Sequence, residues 1–174
     1  MLKNMKIGMR LGVGFGILIL LVLTIAFFSI RGLGKIDEIM VKIVTDRFPK
    51  TVMANDIVDS INVIARAMRN MLLMEKKEDI QKEGARIEVE KKKVTEIIEK
   101  LQKTVASEKG KEIMKSIGDS RAVYAPGQNE VMKLASEGKK KEAIELLFAK
   151  VRPTQLAYFD SVNKLIKFQT ELME

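Results

Sequence analysis

The sequence predicts an all-α protein, with one N-terminal transmembrane helix continuing into an up-down-up-down antiparallel four-helix bundle. Three observations predict it. Twenty consecutive residues, Leu11 to Ile30, carry no charge. After Ile30 no alternating run of Val, Ile and Thr bounded by hairpin turns reads as a strand. Apolar residues there recur instead at steps of three, four and seven, the spacing of amphipathic helices with near-heptad seams.

The uncharged segment LGVGFGILILLVLTIAFFSI would span about 30 Å as a helix, the thickness of a hydrocarbon core. Gly12, Gly14 and Gly16 are tolerated in such a helix, where backbone groups bond internally. A cleavable signal peptide fits less well. The stretch is longer than the roughly 7–15 residues of a signal core, and Phe27-Phe28-Ser29-Ile30-Arg31 is a poor cleavage site. Lys3, Lys6 and Arg10 precede the span without an acidic residue, whereas Asp37 and Glu38 follow it. Arg31 and Lys35 weaken this asymmetry without reversing it, so the positive-inside rule places the N-terminus in the cytoplasm. The expected organisation is a cytoplasmic tail over 1–10, a transmembrane helix over 11–31 and an extracytoplasmic bundle over 32–174.

Four seams follow the span. Ile57, Ile61, Ile64, Met68 and Met71 form the first; Ile80, Ile87, Val94 and Leu101 form the second, with Ile98 and Val105 at the intermediate position. Ile113, Ile117, Tyr124, Val131 and Leu134 form the third, and Leu156, Phe159, Val162, Ile166 and Phe168 the fourth. The breaks agree with this division. Glu75-Lys76-Lys77-Glu78 is a charged turn, Ser107 suits an N-cap, and Gly138 suits the left-handed position that ends a helix. A short helix is expected over 140–150, with Pro153 in the first turn of the last helix. Phe48-Pro49 interrupts the first helix, and Pro126-Gly127 should kink or break the third.

Composition narrows the function. The chain has no Cys, His or Trp, which removes disulfides, thiol nucleophiles, the commonest metal ligand and the commonest acid–base group. An enzyme is not expected, and neither is a cofactor. The net charge of +8 does not point to nucleic acid, because basic residues alternate with Glu on helix faces, as in Glu88-Val89-Glu90-Lys91-Lys92-Lys93.

One stripe stands out. Asn55, Asp59, Asn62, Arg66 and Arg69 step by four and three along the first bundle helix, which the spacing places beside the apolar seam. Asn55, Asp59 and Asn62 are equally consistent with a solvated flank. Arg66 and Arg69 lie on one face in an otherwise Ala/Met/Leu-rich stretch, a pair able to grip a carboxylate with bidentate, charge-assisted bonds. Topology sets the start of the last helix level with them. It brings Arg152, Thr154, Gln155 and Tyr158, together with a helix N-terminus whose free N–H groups favour an anion. Thr154 and Gln155 are equally consistent with simply starting that helix.

The basic N-terminus with its apolar helix, the segment Ser60 to Arg69, and LASEGKKKEAIELLFAKVRPTQLAYFDSVNKLIKFQ together resemble methyl-accepting chemotaxis proteins, in the region of their four-helix-bundle sensor domain. The resemblance covers essentially the whole chain. In aspartate-sensing members, arginines of the first helix hold the ligand carboxylates and a Pro-Thr-Gln of the last helix completes the site. Arg69 matches one of those arginines, Arg66 is displaced by one position from a second, and Ser60 stands where a third would be. Pro153, Thr154 and Gln155 match outright. The resemblance implies a small carboxylate ligand, with aspartate itself left open, and a homodimer with the site at its interface. It also implies a bacterial inner membrane with the bundle outside the cytoplasm. Such proteins continue past the equivalent of Glu174 into a second membrane helix and a cytoplasmic coiled coil, so this chain is either a sensor portion or a sensor standing by itself. A ligand-free structural or interaction bundle is the alternative.

Overall fold

The computed structural model of the chain describes residues 6–174, so Lys3 of the basic tail lies outside the described residues. Among them the elements are all helical: α1 (Ile7–Lys42), α2 (Phe48–Leu73), α3 (Lys77–Thr104), α4 (Glu108–Ser136), α5 (Lys140–Leu146) and α6 (Arg152–Glu171), with π turns at Ile43–Arg47 and Leu147–Val151. The chain divides into two units, Met1–Thr45 and Asp46–Glu174.

In the first unit, α1 buries none of its side chains. Leu20 is 68 % and Ile30 70 % exposed. Apolar side chains left bare over this length need a non-aqueous surrounding, and the helical run containing α1 is long and apolar enough to cross a membrane. Polar atoms inside the stretch are satisfied within the helix: the Thr24 hydroxyl donates to the Leu20 carbonyl at 2.7 Å. At its end the Arg31 guanidinium lies 4.4 Å from the centre of the Phe27 ring.

The second unit is the bundle. α2 packs on α3 and α6, and α4 packs on α3 and α6, which closes a ring of four helices. Contacts between side chains fix the direction of each pair. Asp56 faces Lys93 while Asn70 bonds Glu83; Thr95 bonds Arg121 while Lys91 bonds Asn129; Ser116 meets Ser161 while Tyr124 meets Tyr158. On the α2–α3 and α3–α4 pairs the number rises on one helix as it falls on the other, as antiparallel neighbours require. The sheet-free, up-down-up-down bundle read from the sequence is the fold.

The interior follows the heptad spacing, since residues three and four apart share a helix face. Ile57, Ile61, Ile64, Met68 and Met71 are all buried, as are Ile80, Ile87, Val94, Ile98, Leu101 and Val105. α6 departs from the expected seam. Of the expected seam, Val162 and Phe168 are buried, Phe159 and Ile166 are half-buried against the core and Leu156 is 56 % exposed, while Gln155, Tyr158, Ser161, Leu165 and Gln169 are buried as well. The core-facing row of α6 carries two glutamines, Gln155 and Gln169, which apolar periodicity alone does not mark.

The caps form as expected. The Ser107 hydroxyl accepts from the Gly110 N–H at 3.2 Å. Gly138, at φ +77°, lets the Lys139 N–H reach back to the Leu134 carbonyl and the Gly138 N–H to the Ala135 carbonyl, a Schellman ending. Lys140 donates to the Met74 carbonyl at 2.6 Å, tying the start of α5 to the end of α2. One expectation changes. α4 is not broken at Pro126, which sits on its exposed face where water can serve the carbonyl that the proline leaves unpaired. Between α5 and α6 the chain stays helical. Helical bonding passes through the π turn, and the Arg152 N–H donates to the Leu147 carbonyl. Pro49 and Pro153 each fall two residues after a π turn. A residue without an N–H cannot complete the ordinary ladder, and a five-residue turn accommodates the missing bond.

Two glycines of α4 should respond in opposite directions. A methyl at Gly110 would overlap the Val105 side chain and press on the Ser107 hydroxyl, whereas one at Gly118 meets nothing within 4 Å. Chemical denaturation should find Gly110→Ala destabilised by about 1–3 kcal/mol and Gly118→Ala stabilised by up to about 1 kcal/mol. Equal effects at the two positions would contradict this packing.

Candidate ligand-binding site

The polar stripe of α2 occupies the outward face of its helix. Asn55, Asp59, Arg66 and Arg69 are exposed and Asn62 is half-buried. This corrects its placement beside the seam. At 3.6 residues per turn the stripe is centred roughly 160° from the row Ile57–Met71, which is nearly opposite. Arg66, Arg69 and Arg152 are exposed and make no ion pair among the described residues. The register set by Tyr158 beside Ile61 and Ile64 puts Arg152 level with the Met68–Arg69 turn, as topology required.

The α6 residues divide between two surroundings. The Thr154 hydroxyl is engaged locally, 3.1 Å from the Lys150 carbonyl and 3.0 Å from that of Val151. Gln155 and Tyr158 point inward and are buried. No free helix N-terminus exists at Arg152, because the π turn runs straight into α6 and takes its N–H group. The seven candidates therefore do not converge on one concavity. Arg66, Arg69 and Arg152 face outward, Gln155 and Tyr158 face the core, and Asn62 and Thr154 lie between.

The bundle interior holds a second polar feature. Ile117, Arg121, Tyr124, Gln128 and Val131 step by four and three along α4, so they share its core-facing row, and the middle three are polar. With Lys91 of α3 and Tyr158 of α6 they line a cavity of about 30 Å3, whose remaining walls include Ile61, Ile64 and Val94. The tyrosine rings lie 5.9 Å apart. Both hydroxyls are buried and have no hydrogen-bond partner. Arg121 donates to the Thr95 hydroxyl at 2.6 Å. Lys91 is engaged by Glu88 at 2.8 Å and Asn129 at 3.1 Å. Gln128 reaches only the Met132 thioether, 3.9 Å away.

Burial raises the Tyr124 pKa well above that of a free phenol, with Tyr158 adding to the rise and the Arg69 guanidinium opposing it. Burial pushes Tyr158 up to about 12, against the pull of Arg121. Both remain neutral phenols, with protons to donate, throughout the physiological range.

Comparison with known families identifies what this architecture is. The chain matches the four helix bundle sensory module for signal transduction over residues 4–174 and belongs to that family. It is a sensory module of the methyl-accepting chemotaxis type. No curated protein matches the sequence.

The sequence reading placed Tyr124 in the core and did not single out Arg121, Gln128 or Lys91. The signal was present, since a seam of period three and four runs from Ile117 to Val131 through three polar residues. Reading seams by their apolar members alone hides it.

The chain has two tyrosines and no tryptophan, so its near-ultraviolet titration reads this pair alone. A folded-state pKa above the unfolded value of about 10 means that the tyrosines' contribution to stability is complete below pH ~10. That contribution is lost as pH rises through the folded values. Native protein should therefore show little phenolate absorbance until about pH 12, and denatured protein a midpoint of about 10. A native midpoint of about 10 would contradict the burial of the two hydroxyls.

Proposed function

We propose that the chain is a non-enzymatic sensor anchored in a bacterial inner membrane, with its N-terminus in the cytoplasm and its bundle outside. In this reading it binds a small organic anion, of the carboxylate kind, and acts as a homodimer. The observation that carries the reading is the set Arg66, Arg69 and Arg152: three exposed guanidinium groups without an acidic partner among the described residues. Such groups are built for bidentate capture of a carboxylate. Two copies pairing through the outer face of α2 would bring like charges together, and a bound anion would relieve their repulsion. Asn62 and Thr154, which lie between the outward and inward faces, would add polar atoms beside them, while Gln155 and Tyr158, turned into the core, would take no direct part. Transmission would be a shift of α6 against α2 on the one-to-two ångström scale of interface helices, driven by a ligand that binds one arrangement better than the other.

A second reading, a ligand-free interaction bundle tethered to the membrane, gains from the exposure of Arg66 and Arg69 away from the central cavity. A thermal-shift panel of amino acids, dicarboxylates and tricarboxylates on the whole chain in detergent micelles separates the two. One acid near a hundred times its dissociation constant should add about 2.7 kcal/mol, and Arg69→Ala should lose that gain. A flat response across the panel favours the interaction bundle.

A further inference from the structure

Inside the bundle, hydrogen-bond donors outnumber acceptors around the central cavity. The Tyr124 and Tyr158 hydroxyls are 98 % buried residues' polar ends with no partner, since each tyrosine is only 2 % exposed. Arg121 is half-buried, uses one nitrogen on a neutral hydroxyl and faces no carboxylate in the cavity wall. Buried donors without acceptors and a half-buried cation without an anion are each costly, and all three belong to residues that line the same space, with Arg121 acting on Tyr158 and Tyr158 on Tyr124. What that space lacks is an acceptor carrying negative charge. Its size bounds the answer: about 30 Å3 holds two waters, or a carboxylate group in their place. Ile61, Ile64 and Val94 offer apolar wall to a short alkyl group.

We propose that this polar layer is an internal binding site for a short monocarboxylate, of the acetate or propionate kind, held by Arg121 and by the hydroxyls of Tyr124 and Tyr158. The site lies within one copy of the bundle. It needs neither a partner copy nor the outward arginines Arg66, Arg69 and Arg152, so it stands or falls separately from the site proposed above. Lys91, already committed to Glu88 and Asn129, contributes charge rather than a direct bond. Larger dicarboxylates are excluded by volume, and two buried phenols select an acceptor over a cation.

The two tyrosines make the site report on itself, because without tryptophan they dominate the emission excited above the phenylalanine absorption. Acetate titrated into the whole chain in detergent micelles, with chloride as the ionic-strength control, should give a saturable change in tyrosine fluorescence. Arg121→Gln and Tyr158→Phe should each raise the midpoint by about tenfold or more, the loss expected when a bond to a charged group is removed. Arg66→Ala, an outward arginine that acts on neither tyrosine, should leave it unchanged. Circular dichroism checks that the variants are folded, and Tyr158→Phe, which keeps the ring, decides the matter if Arg121→Gln does not fold. The proposal is overturned by a fluorescence that stays flat to far above millimolar acetate, which would leave water as the occupant. It is equally overturned by an identical response to chloride, or by a response lost in Arg66→Ala but kept in Tyr158→Phe.

Discussion

A four-helix bundle is stable because four apolar rows close on one another, and here one of those rows is interrupted by design of the sequence. Between Ile117 and Val131, α4 presents Arg121, Tyr124 and Gln128 to the interior. Much of the surrounding structure answers that placement. Thr95 of α3 receives Arg121, Lys91 is drawn to Asn129 across the α3–α4 contact, and Tyr158 of α6 lies against Tyr124. What these groups cannot fill remains as a cavity. Above and below, the packing is conventional: Met68, Met71 and Val131 toward one end, Ile117, Leu101 and Leu165 toward the other, all nearly inaccessible to water. The polar layer is thus bracketed by apolar layers that hold the fold while it is held less tightly.

That distribution suits a sensory module. A uniformly apolar core has one best packing and resists displacement, because the loss of contacts on shifting is not recovered elsewhere. A layer whose hydrogen bonds are incomplete has more to gain from a ligand or from a shifted partner, and so can bias an equilibrium between helix arrangements. The π turns preceding Pro49 and Pro153 add places in α2 and α6 where the ladder is already relaxed by one residue. On the proposed reading, α6 is the element that moves, and it carries both a π turn and one wall of the polar layer.

Much of the fold was legible in the sequence because it depends on periodicity, caps and a hydrophobic span, which are local properties. The α2 and α3 seams, the Ser107 cap and the Gly138 ending follow directly from residue type and spacing. The α6 seam was legible at Val162 and Phe168 but not at its ends, because Gln155 and Gln169 face inward while Leu156 faces out. The continuous passage from α5 into α6 was not legible, because a π turn has no composition of its own. The candidate site was legible only as a set of residue types. Arg66 and Arg69 can be found in the string, but whether they face the core depends on the phase of the helix, and that phase puts them outside. The central polar layer needs side chains from three helices, so no single segment announces it.

The central claim is that the polar layer is kept for what it does and costs the fold stability. It is tested most directly by replacing the layer with apolar groups of similar volume: Arg121→Met, Gln128→Met, Tyr124→Phe and Tyr158→Phe in one chain. Denaturant unfolding of the whole chain in detergent micelles, without added carboxylate, compares it with the original. The account predicts a gain of about 1–4 kcal/mol, as when buried charged groups give way to well-packed apolar ones. A loss of similar size would contradict it and would make the layer a support of the fold.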